Sequence, residues 1–165
     1  MATLRHKVFV SYHHDNDQNY RNYFEKLFGT YYDIMVSKSV EIGDIDPELK
    51  TETVRQKIRD EYLRDSTVTV VLIGSSTAGR KWINYEITSS HKKGNGLLGI
   101  YVHNQKNSKG LTSSKGKNPF EDWSITRNGQ KVLLSNIYPT YDWVNNDGYT
   151  NMGNWIEEAA KKAGK

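Results

Sequence analysis

Several features that would define a function class are missing from this chain of 165 residues. It has no cysteine, which excludes disulfides, a thiol nucleophile and thiolate metal ligands, and makes a reducing cytoplasm the expected compartment. No apolar run approaches the roughly 20 residues that a membrane-spanning helix needs. The N-terminus, MATLRHKVFVSY, carries no hydrophobic segment of a secretory signal. We therefore expect a cytoplasmic protein without a membrane partner.

Metal motifs and phosphate-loop motifs are also missing. His13 and His14 are adjacent and point in different directions, and no HxxxH or HExxH spacing occurs, so we expect no metal site. The run Gly74-Ser75-Ser76-Thr77-Ala78-Gly79 has neither the GxxxxGK[ST] nor the GxGxxG order. Its backbone N–H groups remain only a weak candidate for binding a phosphate.

The charge balance is mildly basic. Lysine and arginine number 23 against 19 aspartate and glutamate, a formal charge of +4, and much of the excess lies between Lys106 and Lys131. A nucleic-acid surface would be denser and set on one face or helix, so a solvated loop is the favoured interpretation. We expect no nucleic-acid partner.

Strand-like and helix-like segments alternate along most of the chain. Buried or alternating apolar runs predict strands, and apolar spacings of three and four predict helices. The predicted strands are Lys7–Tyr12, Tyr31–Val36, Thr67–Ile73 and Leu97–Val102, and the predicted helices are about Tyr20–Phe28, Thr51–Arg64, Arg80–Lys93 and Ile156–Ala163. This alternation predicts one α/β domain over residues 1–165, with a mainly parallel sheet covered by helices on both faces.

The regular alternation stops after the fourth strand. Residues His103–Gln130 are polar and basic, and we predict one long loop over about 103–131, of the kind that is usually functional or mobile. One or two short strands are predicted at Val132–Leu134 and Ile137–Tyr138, before the C-terminal helix.

Glu86 is the candidate catalytic residue. It follows Trp82 by four positions on the predicted third helix, and the neighbouring Ile83 and Ile87 place it on or beside the buried face. A ligand of an open α/β sheet binds beyond the carboxyl ends of the strands, which is where this helix begins. Spacing alone nevertheless favours an ordinary helical carboxylate, stabilised by the helix dipole.

Acidic residues after the first strand allow a second interpretation. Asp15 and Asp17 are similar to the acidic pocket of phosphoaccepting receiver domains, which share this architecture. That pocket also needs an aspartate at the end of the third strand, where this chain has Ile73-Gly74-Ser75. We therefore reject the receiver interpretation.

Longer motifs carry a family resemblance. VFVSYHHDNDQNYRNYFEKL resembles the opening of a TIR domain, and VVLIGSSTAGRKWINYE is similar to the TIR pattern of strand, serine-containing loop and Trp-x-x-x-Glu. KGNGLLGIYVHNQKNSKG, SKGKNPF and YDWVNNDGY resemble the TIR-like proteins of bacterial Thoeris anti-phage systems, of the ThsB type. This resemblance covers nearly the whole chain and implies a flavodoxin-like, three-layer fold.

The resemblance also implies an activity and a site. In TIR NADases the glutamate after the helix-opening tryptophan is catalytic, which here is Glu86. The implied reaction is cleavage of the nicotinamide–ribose bond of NAD⁺, with NAD⁺ as substrate and no other cofactor, to give a cyclic ADP-ribose-type signal that activates an effector protein. The implied substrate-binding residues are Phe9, Ser11, Tyr12, His13, Ser75, Ser76, Trp82, Tyr85, His103 and Asn104.

Two alternatives stay open at this point. The chain could be a TIR-like interaction module that acts through Val40–Asp46 and the basic segment, or a sensor that binds a nucleotide without turning it over. VEIGDID lacks the usual Arg/Pro-Gly pattern of the TIR loop that gates the site and mediates assembly. A homo-oligomer and a phage-derived trigger are further expected partners.

Overall fold

A computed structural model describes residues 7–12, 33–36, 63–106 and 109–165, with the backbone alone at residues 33–36, 81 and 82. The predicted helices Tyr20–Phe28 and Thr51–Arg64 and the predicted Val40–Asp46 loop lie outside these ranges, apart from the last two residues of the second helix. Within the described ranges, no helix has the length and apolar character needed to cross a membrane.

Five of the described strands form one parallel sheet. The sheet order is β2-β1-β3-β4-β7, and β5 and β6 pair separately as an antiparallel hairpin. The strands are β1 (Lys7–Ser11), β2 (Asp33–Val36), β3 (Val68–Ile73), β4 (Gly96–Tyr101), β5 (Ser124–Arg127), β6 (Gln130–Leu133) and β7 (Thr140–Asp142). This is the flavodoxin-like order, with its topological switch point between β1 and β3, so the predicted α/β class is confirmed.

Two helices cover opposite faces of the sheet. Helix α1 (Lys81–Lys93) packs on one face of β3 and β4, and helix α2 (Gly148–Lys162) packs on the other. All six residues of β3 are buried, as its continuous apolar run predicts. A Cβ on Gly96 would lie 2.4 Å from the Ala159 carbonyl oxygen, so glycine at the start of β4 allows the close approach of α2.

Among the residues that the structure describes, the alternation of side chains along each strand divides the core into two clusters. The α2-side cluster takes Val8, Val10 and Tyr12 from β1 and the residue after it. The α1-side cluster takes Val71 and Ile73 from β3 and contains further residues from α1, β4 and the segment beyond β4. Those further residues are Ile83, Ile87, Leu97, Phe120 and Leu134.

The segment predicted as one long loop over 103–131 is more ordered than predicted. It contains a 3-10 turn at Pro119–Asp122, the whole of β5 and the start of β6. Asn118 caps the turn by accepting the Phe120 N–H at 3.0 Å, and the Phe120 ring is fully buried in the α1-side cluster. The buried Phe120 ring therefore packs this polar segment against the core.

The hairpin turn explains why this prediction was wrong. Asn128 and Gly129 both have positive φ, 52° and 77°, between β5 and β6. An Asn-Gly pair in this conformation is the preferred two-residue connection of a β-hairpin. The predicted strand at Ile137–Tyr138 is also wrong, because the last strand of the sheet is Thr140–Asp142 and Pro139 precedes it.

Candidate functional site

A buried contact joins Glu86 to the end of β1. The Ser11 hydroxyl donates to Glu86 Oε2 at 2.5 Å, across 75 positions of sequence, and both residues are fully buried. Ser11 lies on β1, next to β3, so the contact is at the carboxyl edge of the sheet by the switch point. The sequence thus folds to place one carboxylate where ligands of such sheets bind.

Helix α1 holds Glu86 in this position through its flanking residues. Ile83 and Ile87 are fully buried against the sheet, so the side of the helix that carries Glu86 faces β1 and β3. One turn further on, the Ser90 hydroxyl bonds the Thr69 hydroxyl of β3 at 2.8 Å. The helix ends at Gly94, which has a φ of 85° and donates to the His91 carbonyl, as the sequence predicts.

The Gly/Ser loop between β3 and α1 satisfies part of its own hydrogen bonding. The Gly74 N–H donates to the Thr77 hydroxyl at 2.9 Å, and this hydroxyl contacts the Leu72 carbonyl at 3.3 Å. The Arg80 side chain donates to the Ser76 carbonyl at 3.2 Å. Ser75 is exposed and Ser76 is half-buried, in the loop that connects the end of β3 to the start of α1. The Gly74 N–H, occupied by Thr77, is not available to a phosphate.

The other predicted site residues divide between the two faces of the sheet. By strand alternation, Phe9 lies on the face of Ser11 and Glu86 and is fully buried. Tyr12, the residue after β1, belongs to the cluster on the opposite face. Tyr85 is half-buried on α1. His13 and the side chain of Trp82 lie outside the described parts of the chain.

His103 and Asn104 meet at the same sheet edge, beyond β4. Asn104 donates to Asp142 Oδ2 at 2.8 Å, and His103 Nε2 lies 3.8 Å from the same oxygen. His103 Nδ1 is buried and has no hydrogen-bond partner within the described ranges. The structure therefore brings these two predicted residues together, around a carboxylate that sequence reasoning missed.

Asp142 has a local signal that could have identified it. Its Oδ1 accepts the N–H groups of Val144 and Asn145, at 3.0 and 2.9 Å, and the Asn146 side chain accepts the Asp142 N–H. An aspartate that bonds the backbone two and three residues on is typical of an Asx turn. The DWVNN run therefore fixes Asp142, and its Oδ2 accepts from the side chains of Asn104, at 2.8 Å, and Asn145, at 3.4 Å.

A second missed feature is the segment 111–118, which lies over the ends of β3 and β4. The Ser113 N–H donates to the His103 carbonyl at 3.0 Å, and Lys115 Nζ lies 4.7 Å from the centre of the Tyr101 ring. A Cβ on Gly116 would be 2.0 Å from the Gly74 carbonyl oxygen. Only a glycine permits this close backbone contact, so a basic segment covers part of the candidate site.

Comparisons with known proteins agree with the motifs. A family model described as Thoeris protein ThsB, TIR-like domain, matches residues 9–107, a range that includes Ser11 and Glu86. A similar protein of Bacillus cereus (strain MSX-D12) is named "Putative cyclic ADP-D-ribose synthase ThsB1". The alignment has 29% identity over 147 positions, and the match covers 67% of this chain and 77% of the relative.

Proposed function

Because the chain belongs to the TIR-like family of the Thoeris protein ThsB, we propose that it is an NAD⁺-processing enzyme of a bacterial anti-phage system. It cleaves the nicotinamide–ribose bond and produces a cyclic ADP-ribose-type nucleotide, which diffuses to an effector protein and activates it. The name of the Bacillus relative supports the product class. A phage component acts as the trigger in this proposal.

The observation that carries the proposal is the buried contact between Glu86 and Ser11 at the switch point. When the glycosidic bond breaks, nicotinamide leaves with the bonding electrons as a neutral molecule and positive charge develops at the ribose. A carboxylate held beside that centre stabilises the charge, as in glycoside hydrolysis. The role of Ser11 is to fix the carboxylate and to exchange its hydrogen bond with a ribose hydroxyl.

The second half of the reaction captures the ribosyl cation. Attack by a nucleophile of the same molecule closes the ring and releases one proton, whereas attack by water gives ADP-ribose. Excluding water therefore decides between the two products. The segment 111–118, packed on the ends of β3 and β4, is suited to this exclusion.

The full burial of Glu86 has a kinetic consequence under this proposal. Its side chain offers no surface to solvent, so NAD⁺ reaches it only after some covering group moves. A slow opening step then precedes chemistry, and a trigger that favours the open form raises the rate. Low activity of the purified protein without infected-cell extract is therefore expected.

The same burial supports a second candidate function. A fully buried carboxylate with a close hydroxyl donor also fits a purely structural role, in which the hydrogen bond joins α1 to β1. In that case the chain is a non-catalytic module that binds a partner or a nucleotide. Both candidates make Glu86 important for folding, so activity must be measured on variants that remain folded.

The test is incubation with NAD⁺, with and without extract of phage-infected cells, followed by mass spectrometry of nicotinamide and ADP-ribose products. We expect products from the wild type, and a rate at least about 100-fold lower from Glu86→Gln, since electrostatic groups at reacting centres contribute on this scale. Glu157→Gln, on the exposed side of α2, is the matched control and keeps full activity. Full phage defence by a folded Glu86→Gln variant would establish the non-catalytic alternative.

A further inference from the structure

A cavity of about 380 Å³ lies at the amino-terminal edge of the sheet, at the other end of the strands from the Glu86 edge. It is formed by the start of β4, the last turns of α1 and α2, and the turn before β7. Its volume falls in the usual range for small-molecule sites, and Tyr138, Tyr141 and Trp155 give it an aromatic lining. Neither Glu86 nor Ser11 lines it, so it is separate from the proposed NAD⁺ site.

The strand register leaves a backbone donor and a backbone acceptor of β4 without a partner in β7, beside this cavity. On the β3 side, the N–H groups of Gly96 and Val102 donate to the carbonyls of Thr67 and Ile73. On the β7 side, the Gly99 N–H donates to the Pro139 carbonyl, and the Tyr101 carbonyl accepts from the Trp143 N–H. Leu97 shares the orientation of Gly99 and Tyr101, because successive residues of a strand point their polar groups to alternate sides. The register that pairs Gly99 with Thr140 would make residue 139, just before β7, the donor to the Leu97 carbonyl.

Pro139 cannot act as that partner. A proline has no N–H, so the ladder between β4 and β7 ends there and the Leu97 carbonyl has no donor from the strand. Leu97 lines the cavity, its N–H points to the same side of β4 as its carbonyl, and within the described ranges neither group has a backbone hydrogen bond to β7. A single unpaired residue is too short to add a peptide strand, but its donor and acceptor match the edge of a planar heterocycle.

The charged groups of the cavity favour an anionic tail on that heterocycle. Glu158 and Lys162 carry opposite charges one turn apart on α2, which leaves Arg127 as the uncompensated cation among the lining residues. His91 Nδ1 lies 2.5 Å from the Tyr138 hydroxyl, and burial, followed by the charge of Arg127, lowers the pKa of His91. A neutral imidazole does not add to the positive charge of Arg127, so a ligand with one phosphate group matches the charge of the cavity.

We propose that this cavity binds adenosine monophosphate, with the adenine edge on the Leu97 backbone and the phosphate at Arg127. Adenine presents an amino donor next to a ring-nitrogen acceptor, which is the complement of a carbonyl and an N–H. The aromatic lining contacts the faces of the base. The site is connected to the other edge of the sheet by α1, which carries His91 at the cavity and Glu86 five positions earlier.

Isothermal titration of the full chain with adenosine monophosphate tests the proposal. We expect saturable one-to-one binding in roughly the micromolar to submillimolar range. Arg127→Ala, at an exposed position of the hairpin, weakens binding at least about tenfold because it removes a charge-assisted hydrogen bond. Lys131→Ala is the matched control, since Lys131 is an exposed cation of the same hairpin that does not line the cavity, and it binds like the wild type.

Two related ligands separate the base from the phosphate. Purine riboside 5′-monophosphate lacks the amino donor and binds at least about tenfold more weakly, and ribose 5-phosphate lacks the base and binds more weakly still. The absence of saturable binding, or equal binding of all three ligands, overturns the proposal. Loss of binding in Glu86→Gln together with full binding in Arg127→Ala also overturns it, because the nucleotide then sits at the other edge.

Discussion

Removing the Ser11 hydroxyl is the sharpest test of how Glu86 is held. In Ser11→Ala a fully buried carboxylate loses a donor at 2.5 Å, and no water replaces it without a rearrangement of the core. A hydrogen bond to a charged group contributes about 1.5–3 kcal/mol to stability. We therefore expect the free energy of unfolding to fall by about 1.5–3 kcal/mol, equivalent to a Tm lower by about 3–12 °C in a chain of this size.

Urea unfolding at pH 7 measures this change, and a matched substitution tests its cause. Ser90→Ala deletes the same hydroxyl from an equally buried position, where the partner is the neutral Thr69 hydroxyl at 2.8 Å. That loss costs about 0.5–1.5 kcal/mol, reduced by the better helix propensity of alanine. The larger loss expected for Ser11→Ala reflects an acceptor that is a carboxylate rather than a neutral hydroxyl.

A double-mutant cycle with Glu86→Gln completes the argument. If Ser11 acts through Glu86, the two substitutions together cost less than the sum of the single ones, with an interaction energy of at least about 1 kcal/mol. Additive effects, or a Ser11→Ala variant less destabilised than Ser90→Ala, would refute the assignment of a charged contact. The pair would then be ordinary packing at the end of β1.

Two further predictions concern the segment 111–118 and the cavity at the amino-terminal edge of the sheet. Gly116→Ala places a methyl group against the Gly74 carbonyl and so displaces the segment 111–118. We expect the Ser113 N–H, which donates to the His103 carbonyl, to exchange faster when measured by hydrogen–deuterium exchange mass spectrometry. Ser114→Ala is the control and leaves this exchange rate unchanged. The pKa of His91 is lower in the folded protein than its ordinary value of 6.5. In the pH range between the folded and the unfolded pKa, the unfolded chain therefore binds more protons than the folded one, and the stability of the wild type rises with pH. His91→Gln should lessen this rise in urea unfolding at pH 5 and pH 7, and an identical pH dependence would contradict the contribution of His91.

The sequence predicted β1 to β4 well because these strands carry strong local signals. The continuous β-branched run of β3 and the glycine after α1 define those elements without tertiary information. The contact between Ser11 and Glu86 joins residues 75 positions apart, and no local periodicity contains it. Only the resemblance of both motifs to one family placed them in one site.

The region after β4 was predicted poorly for two different physical reasons. The Asn-Gly turn was present in the sequence but was outweighed by the polar composition around it. The position of segment 111–118 depends on the fit of Gly116 against Gly74, which is a tertiary contact with no sequence period. Asp142 is an intermediate case, since its turn is local but its contact with Asn104 is not.

The hairpin also bears on the order in which the domain assembles. Residues 102–139 lie between β4 and β7, and the chain entropy lost on pairing these two strands rises with the length of free chain that must close. The β5–β6 hairpin pairs locally, on the microsecond scale of such units, before any distant contact is needed. Once Phe120 and Leu134 attach it to the core, less free chain remains to close, so β7 is expected to join the sheet late in folding and the cavity beside Pro139 to form last.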